Sequence, residues 1–103
     1  FDTGFKAFLN ADPTMLTNNG GNDMISAVSA MGYDAYYVAL EAMTLADSVA
    51  PADILAALKD VDYAGVTGKI VFDDNGDAVR NTAYIKAVDT ANNTWIFEKE
   101  QGI

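Results

Sequence analysis

The side chains best suited to chemistry here are carboxylates and tyrosines, because the chain contains neither cysteine nor histidine. Asp73, Asn75 and Asp77 occupy the first, third and fifth places of a calcium-loop pattern. The pattern then fails. Its sixth place needs glycine and holds Ala78, and its twelfth needs glutamate and holds Tyr84. The run reads instead as a hairpin turn with solvated carboxylates. Gly65-Val66-Thr67-Gly68 could pass for a phosphate loop, but the lysine and the following helix are missing. It reads as a tight turn into a strand. Asp34 and Glu41 lie seven residues apart on one helical face. Paired acid/base carboxylates need a shared cleft. A solvated or salt-bridged face is the plainer account, with Asp34 serving the helix dipole or cap. Tyr33, Tyr36 and Tyr37 form an aromatic cluster. Tyr33 is a candidate ligand contact, since a buried phenol needs a partner; packing between helix and sheet is the alternative. No catalytic residue, metal site or cofactor is expected, and the chain does not read as an enzyme.

These groups must be positioned by helices in the first half and strands in the second. Phe1, Phe5, Phe8 and Leu9 have helical spacing, giving a helix over about 1–10. Residues 11–23 read as a loop, with Pro13 and the Asn-Asn-Gly-Gly run as breakers. Dense apolar residues over 24–47 suggest a mostly buried helix, capped by Asn22 or Asp23. Gly32 is costly inside it, which points to a close backbone approach or to an extended segment over 24–31. Pro51 suits the first turn of a helix over 51–60. Beyond residue 66 the period changes to two. Strands are expected at 69–73, 82–89 and 94–100, joined by turns at Asn75-Gly76 and Ala91-Asn92-Asn93. Trp95, Phe97 and Tyr84 read as strand core. As an isolated piece the chain should therefore be α+β, with N-terminal helices followed by a three-stranded antiparallel meander.

Composition sets the outer bounds. With 103 residues there is room for one domain, and half the residues are hydrophobic. The net charge of −9 repels nucleic acid and anionic lipid, so neither is an expected partner. Without cysteine there is no disulfide framework or thiolate metal site. Residue 1 is Phe, which suggests a chain processed or cut from something longer.

Several short segments, taken in order, resemble one family. They are Met31-Gly32-Tyr33-Asp34-Ala35, Leu40-Glu41-Ala42, Ile54-Leu55-Ala56-Ala57-Leu58, Gly65-Val66-Thr67-Gly68-Lys69-Ile70 and Phe72-Asp73-Asp74-Asn75-Gly76-Asp77. Together they look like the C-terminal quarter of the solute-binding proteins of branched-chain amino-acid ABC transporters. The similarity covers about residues 24–90. It implies an α/β chain, part of a two-lobed type I periplasmic-binding fold whose lobes close on a ligand. It implies an extracytoplasmic bacterial protein that hands a small amino-acid-like ligand to a membrane permease. It makes Val28, Ser29 and Ala30 the carried-over contact candidates, beside Tyr33, with plain core as the alternative reading of the three. Val28 stands where some family members have a larger apolar residue. The segments that hold the ligand's α-amino and α-carboxylate groups are not in this chain. A sensor domain of the same fold and an independent small interaction module are the alternatives. A piece lifted from its partner layers should expose an apolar face, so a homodimer of the fragment is expected.

Overall fold

The computed structural model describes residues 1–103 as a mixed helix-and-strand chain. Helix α1 (Asp2–Ala11) is followed by a short helix α2 (Pro13–Asn18). The second replaces part of the loop that the breaker residues of 11–23 predict. Its start signal is local: Asp12 accepts from the Thr14 N–H at 2.7 Å, and Pro13 fills the first turn where no N–H is needed. Residues 24–26 are non-helical, and Ser26 caps helix α3 (Ala27–Ala46) by accepting from the Ser29 N–H at 3.2 Å. The cap is therefore Ser26 and not Asn22 or Asp23. Helix α3 ends on Asp47 in a left-handed conformation, φ 46°. Gly32 makes no close approach, since a Cβ there would meet nothing within 4 Å.

Helix α4 (Pro51–Ala57) tightens into a 3-10 turn at Leu58–Asp60. Strands β1 (Tyr63–Gly65) and β2 (Gly68–Ile70) form an antiparallel hairpin, with Tyr63 opposite Ile70. Strand β1 escapes a sequence reading because it is only three residues long. A second turn follows at once. The Gly76 N–H donates to the Asp73 carbonyl at 3.0 Å, and the Val79 N–H to the Val71 carbonyl at 2.9 Å. Of the Asn-Gly pair only Gly76 takes positive φ, +85°, so the turn is not the doubly left-handed type expected. Asp73 holds it, accepting from the Asn75 and Asp77 N–H groups at 2.9 Å each.

This local turn overturns the three-stranded meander. The chain after β2 folds back on itself through a single Phe72–Ala78 bridge and never reaches β3 (Thr82–Asp89). Strand β3 pairs only with β4 (Thr94–Gly102), so there are two separate two-stranded sheets. The β3–β4 ladder runs from Thr82–Gly102 to Asp89–Thr94, with a bulge near Ile85. Asp89 ties its turn, and hydrogen bonding from the Asn92 side chain holds its carboxyl below the ordinary range.

The core is small and one-sided. Val38 and Ala42 on α3 meet Val61 and Ile70, with Ile54, Leu58, Tyr63 and Phe72 half-buried around them. Asp34, Val38 and Ala42 repeat every four residues and are the only buried positions on α3, so this helix is not mostly buried. The strand aromatics are not core either: Tyr84, Trp95 and Phe97 are each more than half exposed. Only 7 of 103 residues are buried. The radius of gyration is 17.2 Å. A compact domain of this length would have about 13 Å. A lone two-stranded hairpin is marginal in water. Amide exchange should therefore be much faster across β3–β4 than at Val38 and Ala42, the protection differing by at least about 100-fold.

Candidate functional site

The most strongly determined polar arrangement joins α3 to the β1–β2 turn. Asp34 is 1% exposed, the only charged residue in the core. Its Oδ1 accepts from the Val66 N–H at 2.8 Å. Its Oδ2 accepts from the Thr67 N–H and the Thr67 hydroxyl, both at 2.7 Å. Distances this short are those of charge-assisted bonds. Neither central residue of the turn takes positive φ; Gly68 does, at +104°. Such a turn matches strand twist less well than the mirror-image types. The carboxylate supplies what the turn's own geometry lacks, filling an anion-binding concavity with an internal anion.

Gly65 is required by this approach. A Cβ there would lie 2.5 Å from Asp34 Oδ2 and 2.6 Å from its Cγ. Arg80, the single arginine of the chain, closes the arrangement. Its guanidinium donates to the Thr67 carbonyl at 3.0 Å and approaches the Thr67 hydroxyl at 3.4 Å. Burial pushes the Asp34 carboxyl upward, and this is the largest single effect. Hydrogen bonds from Thr67 and Val66, helped by the Arg80 charge, outweigh it and leave the net shift downward.

The solvated or salt-bridged face expected at Asp34 is thus corrected: the carboxylate is buried and fully partnered. Glu41 does not share its cleft as an acid/base partner. The turn reading of Gly65–Gly68 holds, and its two central N–H groups already bind a carboxylate. The missed residues are Gly65, Thr67 and Arg80. The available signal was an aspartate flanked by apolar residues, together with a glycine-bounded turn that had no local cap.

The candidate contacts fall in different places. Ala30 lines a groove of about 870 Å³ with Ala27, the β1–β2 turn, Arg80 and Tyr84. Val28, the second residue of α3, is 73% exposed. Ser29 is occupied by the helix cap, its hydroxyl 3.1 Å from that of Ser26. Tyr33 belongs to an aromatic ladder, 4.9 Å from Phe1 and 4.8 Å from Tyr37 between ring centroids. It borders a separate hollow of about 390 Å³ with Phe1, Phe5 and Phe8. The neighbouring Tyr37 hydroxyl pushes the Tyr33 phenol above its ordinary value. The structure does not gather Val28, Ser29, Ala30 and Tyr33 around one cavity. No group of three or more acidic residues could hold a metal ion. No helix is long and apolar enough to cross a membrane.

No family model, curated protein or solved structure matches the chain.

Two expectations follow from the carboxylate. Asp34→Asn turns an acceptor into a donor facing N–H groups, and should lose about 2–3 kcal/mol in chemical denaturation. Gly65→Ala should lose about 1–3 kcal/mol, because the methyl displaces the carboxylate. The pH dependence has a fixed sign. The folded pKa of Asp34 lies below its unfolded value, so its contribution is complete above about pH 4 and lost as pH falls through the folded pKa. Thermal melts from pH 7 down to 2.5 should therefore show a steeper acid loss for the natural chain than for Asp34→Asn.

Proposed function

We propose that this chain is the C-terminal portion of a bacterial extracytoplasmic solute-binding protein, delivering a small amino-acid-like ligand to an ABC transporter permease. One observation carries the reading. Two segments of the resemblance, Met31-Gly32-Tyr33-Asp34-Ala35 and Gly65-Val66-Thr67-Gly68-Lys69-Ile70, are far apart in sequence yet form one unit through three hydrogen bonds to Asp34. The resemblance therefore rests on residues that cooperate physically. Its fifth segment, Phe72–Asp77, forms the next turn along the chain, and Asp73 accepts from backbone N–H groups there too.

One further feature agrees with a binding role that needs more polypeptide. The largest groove, beside Ala30, lies between the start of α3, the β1–β2 turn and the start of β3. A small ligand is held tightly only when most of its surface is buried. This chain offers one wall, and the opposing lobe offers the other. The permease would meet the closed, two-lobed form.

Calorimetric titration with leucine, isoleucine and valine tests the proposal. The 103-residue chain alone should give no binding heat, and the full polypeptide encoded by the gene should bind at micromolar concentration or tighter. Tight binding by the short chain would overturn the division of labour between lobes. A full polypeptide that bound none of these ligands, nor related amides, would overturn the transport reading.

A further inference from the structure

The chain contains two Asn-Gly pairs, Asn19-Gly20 and Asn75-Gly76, and the fold treats them differently. An asparagine before glycine carries a latent reaction of its own. The following amide nitrogen can attack the side-chain Cγ. Glycine, with no Cβ, neither blocks that approach nor limits the backbone rotation it needs. The outcome depends on how freely the carboxamide can turn toward that nitrogen. The Asn19 carboxamide is pinned. Its Nδ2 donates to the Asn22 carbonyl at 2.8 Å and to the Met24 carbonyl at 3.0 Å, and the residue is half-buried. The Asn75 carboxamide is exposed and has no hydrogen-bond partner in the chain.

One restraint remains at Asn75. The Gly76 N–H donates to the Asp73 carbonyl at 3.0 Å, as the Gly20 N–H does to the Thr17 carbonyl at 3.0 Å. The bond at Gly76 sits in a segment exposed at every residue from 73 to 80 and closed by the lone Phe72–Ala78 bridge. Such a segment opens locally without unfolding the core. The Asp73 carboxylate limits that opening, because it accepts from the Asn75 and Asp77 N–H groups at 2.9 Å each. The carboxylates of Asp73, Asp74 and Asp77 also repel the hydroxide that would take the Gly76 proton, which slows the reaction.

We propose that Asn75 is a site of spontaneous covalent modification, with the Asp73-held turn setting its rate. The Gly76 nitrogen gives its proton to hydroxide and forms a bond to Asn75 Cγ. The bond from Cγ to the side-chain nitrogen breaks, and that nitrogen leaves as ammonia with a proton taken from water. Water then opens either carbonyl C–N bond of the resulting succinimide, leaving aspartate or isoaspartate. Isoaspartate routes the main chain through the former side-chain methylene and so lengthens the turn. The Gly76 N–H then no longer meets the Asp73 carbonyl, and the Phe72–Ala78 bridge loses its register. Either product adds a carboxylate beside Asp73, Asp74 and Asp77, where like charges repel. The inference does not rest on the transport reading, and its test needs no solute.

Peptide mapping by mass spectrometry, on the natural chain incubated in mildly alkaline buffer, follows both pairs at once. Methylation by an isoaspartyl methyltransferase scores the isoaspartate. Asn75 should convert at least about 10-fold faster than Asn19, whose two carboxamide hydrogen bonds must first be freed. In urea that order should vanish or reverse, because the restraint on Asn19 is gone while the carboxylates beside Asn75 remain. Asp73→Ala should raise the Asn75 rate at least about 2-fold, with the Val38 and Ala42 amides still protected from exchange. An Asn75 that converts no faster than Asn19 in the folded chain would overturn the proposal. So would a preference for Asn75 that urea leaves intact, since local sequence alone would then account for it. An Asp73→Ala rate at or below that of the natural chain would remove the turn's control.

Discussion

A carboxylate that is 1% exposed must find donors or give up its charge, and Asp34 finds three on a turn 32 and 33 residues further along the chain. The consequences reach most of the structured half. Helix α3 is fixed against β1–β2 at one end by Asp34 and along its length by Val38 and Ala42. The β1–β2 turn adopts a form that would be weak without a cap. Gly65 has to be glycine, and Arg80 is drawn over the turn to Thr67. Removing the Asp34 carboxylate leaves the Val66 and Thr67 donors without their acceptor, which costs more than the bonds themselves contribute. The surface pair Lys69–Asp62, 2.9 Å apart but mostly exposed, adds little beside it.

The rest of the chain is organised by what this interaction does not reach. The apolar contacts around Val38, Ala42, Val61 and Ile70 form a single small cluster, and no comparable cluster lies under the β3–β4 hairpin. Every residue of β4 is exposed, including Trp95, Ile96 and Phe97. The sequence supplies these strands with side chains suited to burial, while the fold leaves them bare. That mismatch agrees with a polypeptide whose final packing involves a further layer. It also agrees with the proposed role as one wall of a binding cleft.

Much of the secondary structure was legible because it is written locally. Strand β3 matched its expected bounds at Thr82–Asp89, since alternation and flanking turn residues are short-range signals. Helix α4 began at Pro51 for the same reason. Strand pairing was not legible. Asn75-Gly76 was rightly read as a turn, but Asp73 closes it so tightly that only Phe72 and Ala78 pair across it, and β2 loses its route to β3. The central polar site was half legible. Gly65–Gly68 announced a turn, and Asp34 announced a carboxylate on a helix. Nothing short-range says that one binds the other, because a hydrogen bond across more than thirty residues leaves no periodic trace. Short-range signals around Asp34 therefore point to a solvated or salt-bridged carboxylate, and not to the buried one the fold holds. The strand aromatics failed the other way: their types signal burial, and their neighbours in this chain do not provide it.

The account stands or falls on the ionised, fully partnered state of Asp34. Its side-chain carboxyl carbon can be followed by NMR as pH is lowered, together with the amide signals of Val66 and Thr67. The account predicts that Asp34 titrates below the ordinary carboxylate value of 3.8, and that both amides lose their protection in the same step. An Asp34 that titrates at or above that value, with Val66 and Thr67 amides exchanging freely throughout, would contradict it.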